Sequence, residues 1–146
     1  MSREPDLRQR VRPEWIDYNG HLSEAYYVLV FGFATDALME RVGMDRTYLR
    51  ETGCSLYTVE AHVRYLREVP PDSELLITTR VVDAGAKKLR VCHEMVVDGE
   101  LVATEEVLAL HVDGEQGRTA PFPQRIADEL AAAVEPAPEY AGRSIG

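Results

Sequence analysis

The sequence predicts an α+β domain in which an antiparallel meander curls around one buried helix. Three observations predict it. Ser23 to Val42 is apolar around nearly its whole circumference, the apolar period then drops from 3.6 to 2, and turn signals cut the rest into strands. At 146 residues the chain fits a single domain. Residues 1–134 are expected to form it, with 135–146 as a loose C-terminal tail.

Each element has its own warrant. Leu7 to Arg12 alternates weakly and stops at Pro13, which a central strand would exclude. Trp15-Ile16-Asp17-Tyr18-Asn19-Gly20-His21 follows, a polar turn studded with aromatics, where Asn19-Gly20 tolerates positive φ. Ser23 is a good N-cap, Glu24 suits the positive end of a helix dipole, and Gly43 supplies a C-cap. At about 1.5 Å per residue this helix is roughly 30 Å long, the reach of a long strand. So apolar a helix predicts a core element wrapped by something else.

A polar link leads to the strands. Tyr57, Val59, Ala61, Val63 and Tyr65 alternate with polar residues, predicting a half-buried strand with Tyr57, Val59 and Ala61 inward. Pro70-Pro71-Asp72 ends it, Glu74 to Val82 is the next strand, and Asp83-Ala84-Gly85 is a turn. Leu89 to Val97 alternates again, Asp98-Gly99 signals a two-residue hairpin, and Leu101 to Val112 returns. A short amphipathic helix from about Gln124 to Val134 completes the order β-α-β-β-β-β-α.

Charge narrows the functional classes. With 16 basic against 25 acidic residues the net charge is -9, which opposes binding to nucleic acid or an anionic membrane. Cys54 and Cys92 are too few for a disulfide framework and are expected as free thiols. Histidines and cysteines show no metal-ligand spacing, so no metal is expected. Met1 to Arg10 lacks the apolar region of a secretory signal, and no apolar run reaches the ~20 residues needed to span a bilayer. A cytoplasmic location is the expectation.

The chemistry concentrates just before the long helix. Its first N–H groups lack internal partners and carry partial positive charge, so a carbonyl placed there is polarised and an oxyanion stabilised. A nearby carboxylate could attack that carbonyl or deprotonate a water to do so. Asp17, Asn19, Gly20 and His21 lie at this point, although Asp-x-Asn-Gly is also plain turn chemistry. Glu60 and His62 point the same way on the long strand and form a second carboxylate–histidine pair.

Asp17-Tyr18-Asn19-Gly20-His21-Leu22-Ser23, followed by Ala25-Tyr26-Tyr27, resembles the Asp-x-x-Gly-His-x-Asn motif of hotdog-fold thioesterases of the 4-hydroxybenzoyl-CoA type. Val63 to Val69 resembles that family's strand after the helix, and the likeness covers about residues 8–113. More narrowly, Trp15 to His21, Val59-Glu60-Ala61-His62 and Ala120-Pro121-Phe122-Pro123 are similar to betainyl-CoA thioesterases of carnitine catabolism. Ser23 departs from the family's usual Asn.

The resemblance implies a hotdog fold, an antiparallel sheet wrapped around one long central helix. It implies hydrolysis of a small acyl-CoA to free acid and coenzyme A without a cofactor, coenzyme A being part of the substrate. It makes Asp17 the catalytic carboxylate, as nucleophile or base, with Asn19 and His21 beside it and Gly20 near the thioester. Glu24 and Glu40 are the carboxylates on the helix. Arg64, Arg67, Lys87, Lys88 and Arg90 are available for coenzyme A phosphates. Trp15, Tyr18, Tyr26, Tyr57 and Tyr65 could include an aromatic box for a quaternary ammonium. A homodimer joined along Cys54 to Arg67 is implied, with a homotetramer as the larger alternative. An acyl-CoA hydratase or dehydratase, or a non-catalytic acyl-CoA-binding module, are the rival readings on the same fold.

Overall fold

The computed structural model describes residues 3–146. In chain order the elements are β1 (Leu7–Arg10), a 3-10 turn (Pro13–Trp15), α1 (Glu24–Val42), α2 (Arg46–Thr52), β2 (Cys54–Tyr65), β3 (Glu74–Ala84), β4 (Lys88–Val97), β5 (Glu100–Asp113), β6 (Arg118–Thr119) and α3 (Gln124–Ala133). The sheet runs β1-β3-β4-β5-β2, with β6 paired to β5. β1 pairs antiparallel with β3 from Leu7↔Ile77 to Arg10↔Glu74. The α+β class read from the sequence is the observed one.

Local chemistry accounts for the boundaries. α1 stops in a Schellman cap: Gly43 takes φ +93, its N–H donates to Glu40 O at 3.2 Å, and Met44 N–H donates to Met39 O at 2.8 Å. Asp98 and Gly99 both adopt positive φ, 50 and 79, as a tight hairpin between twisted strands requires.

Three sequence expectations are corrected. The polar link contains α2, whose N-cap Asp45 accepts the Tyr48 N–H at 2.9 Å and whose end is closed by Gly53 at φ +73. Tyr57, Val59 and Ala61 do not face inward: all three are exposed, Tyr57 and Val59 at 48% and 53%, because β2 is the last strand of the sheet and only its ends, at Cys54, Leu56 and Val63, pack on core. α1 is not buried all round either, since Val28 and Leu29 are 43% and 41% exposed.

The chain forms two compact units. The first comprises residues up to Ala37, Val63–Thr79 and His93–Glu105. Tyr27, Val30, Phe31 and Ala34 sit at helical spacing on one face of α1 and share a core with Leu75, Ile77, Met95 and Val102. His93 is fully buried there, stacked on Phe31 at 5.8 Å. Its Nε2 meets Thr35 Oγ1 and its Nδ1 meets Thr79 Oγ1, each at 2.9 Å, so both ring nitrogens are satisfied.

The second unit comprises Leu38–His62, Arg80–Cys92 and Glu106–Gly146. Its core gathers Leu38, Val42, Val81, Leu89, Val107, Ile126 and Leu130. His111 Nδ1 lies 2.8 Å from the carbonyl of Ala120, which only accepts, so Nδ1 carries the proton. Nε2 therefore accepts from Tyr48 OH at 2.7 Å. Residues 135–146 hold neither helix nor strand. Tyr140 within them is nevertheless 6% exposed, and Gly142 N–H donates to Glu106 Oε1 at 2.7 Å.

Candidate active site

The turn before α1 is fixed by its own polar groups. Asp17 Oδ1 accepts the Asn19 N–H at 2.9 Å, Gly20 N–H donates to Asp17 O at 2.9 Å, and Asp17 N–H donates to His21 O at 3.0 Å. Gly20 takes φ +83, which a side chain would resist. One carboxylate oxygen of Asp17 is thus held by the backbone. Leu22 N–H donates to Val69 O at 2.9 Å, fastening the turn to the segment that follows β2.

Those segments border a cleft of about 590 Å³, open to solvent and lined by Asp17, Asn19, His21, Leu22, Glu24, Tyr27, Tyr65, Leu66, Arg67 and Glu68. All these residues belong to the first compact unit. Tyr27 and Tyr65 meet edge to face with centroids 5.1 Å apart. Tyr27 OH donates to Arg67 O at 3.3 Å and Tyr65 OH to Glu24 O at 3.4 Å. Burial pushes the Tyr27 phenol up, helped by the acidic groups around it, the Tyr65 phenol and the Glu68 and Asp17 carboxyls. Burial likewise raises Tyr65, helped by Glu24 and Glu105. Both remain neutral donors through the physiological range.

On the rim, His21 Nε2 lies 3.3 Å from Glu68 Oε2, and Arg67 Nε lies 3.2 Å from Glu100 Oε2. The cleft therefore presents three carboxylates, Asp17, Glu24 and Glu68, around two phenol rings.

Of the residues singled out in the sequence, Asp17, Asn19, His21, Arg67, Glu24 and Tyr65 come together here. Asn19 supplies its backbone N–H to Asp17. Gly20 shapes the turn without lining the cleft. Trp15 and Tyr26 stack on each other at 5.4 Å, Trp15 being only 6% exposed, and are not part of the lining. Tyr18 points into solvent at 98% exposure. Arg64 Nε donates instead to Thr104 Oγ1 at 3.2 Å.

Tyr27 and Glu68 were not singled out. Tyr27 reads as core from its helical spacing, and nothing in sequence marks Glu68 as lying opposite His21. Glu60 and His62 share a second cleft, of about 490 Å³, with Arg90, Glu106 and residues 142–145. Arg90 is bound there to Glu106 at 2.5 Å, so it is already paired. Burial would raise the Glu106 carboxyl, but Arg90 and the Gly142 N–H bring it below its ordinary value. Among the described residues, no group of three His, Cys, Asp or Glu side chains could hold a metal ion, and no helix is long and apolar enough to cross a membrane.

Residues 11–133 match the model of the Thioesterase-like superfamily. A betainyl-CoA thioesterase of Pseudomonas aeruginosa is 38% identical over 93% of this chain and 90% of its own length. An L-carnitine dehydrogenase/betainyl-CoA thioesterase of Agrobacterium fabrum is 45% identical over 90% of this chain, which spans only 28% of that longer protein. A thioesterase candidate of Pseudomonas putida KT2440, known by crystal structure, superposes with a TM-score of 0.85 at 36% identity. That superposition covers 100% of this chain and 97% of the other, and the shared architecture is the hotdog fold.

Proposed function

We propose that this chain, which belongs to the Thioesterase-like superfamily and is an acyl-CoA thioesterase, takes betainyl-CoA as its substrate with Asp17 as the catalytic carboxylate. One observation carries the reading: Asp17 shares a cleft with two edge-to-face tyrosines and two further carboxylates, Glu24 and Glu68. A trimethylammonium group is stabilised by aromatic faces and by negative charge, and a neutral acyl group gains nothing from either. The names of the Pseudomonas aeruginosa and Agrobacterium fabrum relatives support the same substrate.

The chemistry needs little more than what surrounds Asp17. With the thioester carbonyl at the start of α1, the N–H groups of the first turn polarise it. In the base-catalysed form, the free Asp17 oxygen takes a proton from water while the water oxygen bonds to the carbonyl carbon. The tetrahedral oxyanion collapses, the C–S bond breaks, and Asp17 returns the proton to the coenzyme A thiolate. In the nucleophilic form Asp17 bonds to the carbon first and the C–S bond breaks to release the coenzyme A thiolate; water then cleaves the anhydride, and the protons it gives up protonate the thiolate and pass to solvent. Both leave free betaine and coenzyme A. Label found in Asp17 after single-turnover hydrolysis in ¹⁸O-water identifies the second, because the first makes no bond to Asp17 that water could cleave.

Arg67 is the cation at the rim best placed to meet a coenzyme A phosphate. A homodimer is part of the proposal: β2 ends the sheet with Tyr57 and Val59 exposed, an open template that pairing with a second copy would close. Location in the cytoplasm follows from the substrate, coenzyme A esters being intracellular metabolites.

The test is thiol release over a panel of acyl-CoAs that includes betainyl-CoA and 3,3-dimethylbutanoyl-CoA, its neutral isostere. The reading expects betainyl-CoA to be turned over fastest. Equal kcat/KM for the two isosteres would contradict it.

A further inference from the structure

We infer that Glu68 is a positioning residue for His21: it holds the ring proton on Nε2, so that Nδ1 takes a proton from the water that cleaves the acyl–Asp17 anhydride. The assignment rests on the nucleophilic form of the reading above and deepens it. His21 Nε2 lies 3.3 Å from Glu68 Oε2, and both residues line the cleft that holds Asp17. A carboxylate only accepts, so Nε2 is the protonated nitrogen. In the neutral ring Nδ1 then keeps a lone pair, and among the described residues no hydrogen bond engages it.

Backbone bonds place both partners. Ile16 and Leu22 bridge antiparallel, and one step further into the turn Asp17 N–H donates to His21 O at 3.0 Å. Residues directly opposite in an antiparallel pair project their side chains to one side, so His21 leaves the turn on the side of Asp17. Leu22 N–H donates to Val69 O at 2.9 Å, and Tyr27 OH to Arg67 O at 3.3 Å. Those two bonds bracket Glu68 and hold it opposite His21.

The anhydride step needs a base other than Asp17, whose carboxylate is acylated at that point. The water oxygen bonds to one anhydride carbonyl carbon as His21 Nδ1 accepts a proton. The C–O bond from that carbon to the bridging oxygen breaks, leaving one group as a carboxylate and the other as a carboxylic acid. That acid yields its proton to solvent, and His21 passes its own to the coenzyme A thiolate. The Glu68 side chain is 77% exposed. An ion pair that open contributes little to stability, so its effect belongs in the rate.

The experiment follows pre-steady-state thiol release from betainyl-CoA in wild type, Glu68→Gln, His21→Ala and the double variant, with intact mass spectrometry of the quenched protein. Glu68→Gln should lower kcat about tenfold, while the first equivalent of thiol still leaves at the wild-type rate and acylated protein accumulates. Its melting temperature should not move. Glu68→Asp keeps the carboxylate and should regain part of the rate. In the His21→Ala background Glu68→Gln should cost nothing further, because it acts through the ring. Wild-type kcat in Glu68→Gln, or a cost that is the same with and without His21, overturns the assignment. A fall in kcat with no burst of thiol also overturns it, because the loss then precedes the anhydride. Near wild-type turnover in Asp17→Asn overturns the reading itself, and this assignment with it.

Discussion

Tyr27 of α1 and Tyr65 of β2 meet edge to face, 5.1 Å between ring centroids, on the wall of the cleft that holds Asp17. The pair offers an aromatic face and two neutral phenols beside a cluster of carboxylates. Tyr65→Leu removes a ring that a quaternary ammonium would touch. Its loss should lower the preference for betainyl-CoA over its neutral isostere by roughly 0.5–2 kcal/mol, up to about thirtyfold. Steady-state kinetics on both substrates reads this directly, and an equal loss on both would show that Tyr65 only shapes the cleft.

Much of this arrangement was legible in the sequence, and the exceptions have physical causes. Gly20, Asp98-Gly99 and Gly43 announced their turns because their positive φ values favour those residues over others. Asp17, Asn19 and His21 are close in sequence, so one stretch of chain was enough to bring them to one cleft. Trp15, Tyr26 and Arg64, expected to bind substrate, do not line the cleft that holds Asp17, and an aromatic or a cation reads alike in a core, on a strand or in a cleft. Glu68 gains its interest from His21, distant in sequence, which a periodicity cannot display. The exposure of Tyr57 and Val59 follows from β2 taking the end of the sheet, a matter of topology.

Glu105 should mark the stability of the folded chain. Its carboxyl is pushed by burial from the ordinary 4.5 up to about 7. Below about 4.5 it is protonated in both folded and unfolded chain and costs nothing. As pH rises from there to about 7, ionisation favours the unfolded chain, and stability is lost on the order of 3 kcal/mol. Urea unfolding at pH 5 and pH 8 should show that loss in wild type and much less of it in Glu105→Gln. A loss of equal size in the variant would assign the pH dependence to other groups.

The Arg90–Glu106 pair should respond to pH in the opposite sense. Glu106 lies below its ordinary value through Arg90 and the Gly142 N–H, although burial works against them. Its contribution is present at neutral pH and lost as pH falls through the acid range. Glu106→Ala removes a charge-assisted bond and the anchor of residue 142, and should cost about 1.5–3 kcal/mol at pH 7. Chemical denaturation at pH 7 and pH 3 checks this. A cost that persists undiminished at pH 3 would point to lost packing instead.

Tyr48→Phe tests the hydrogen bond inferred for His111. The hydroxyl is the donor to His111 Nε2 at 2.7 Å, in a site where both residues are buried. Removing it leaves an acceptor without a partner, at a cost of about 1–3 kcal/mol. Hydrolysis should be unaffected, since neither residue lines the cleft beside Asp17. Thermal unfolding and the thiol-release rate of the same preparation separate the two effects.

The most direct measurement is single-turnover hydrolysis by Asp17→Asn, paired with the acyl-CoA affinity of the same folded protein. Asparagine retains an oxygen for the Asn19 N–H, so the turn and the melting temperature should change little. It removes the negative charge and the basic oxygen. Positioned base catalysis contributes typically about 10²–10⁴-fold, and loss of a nucleophile costs at least as much. The account predicts hydrolysis reduced by two orders of magnitude or more, roughly, with binding retained, because Asp17 acts on the transition state. Near wild-type turnover in folded Asp17→Asn would contradict it and move the catalytic carboxylate to another residue.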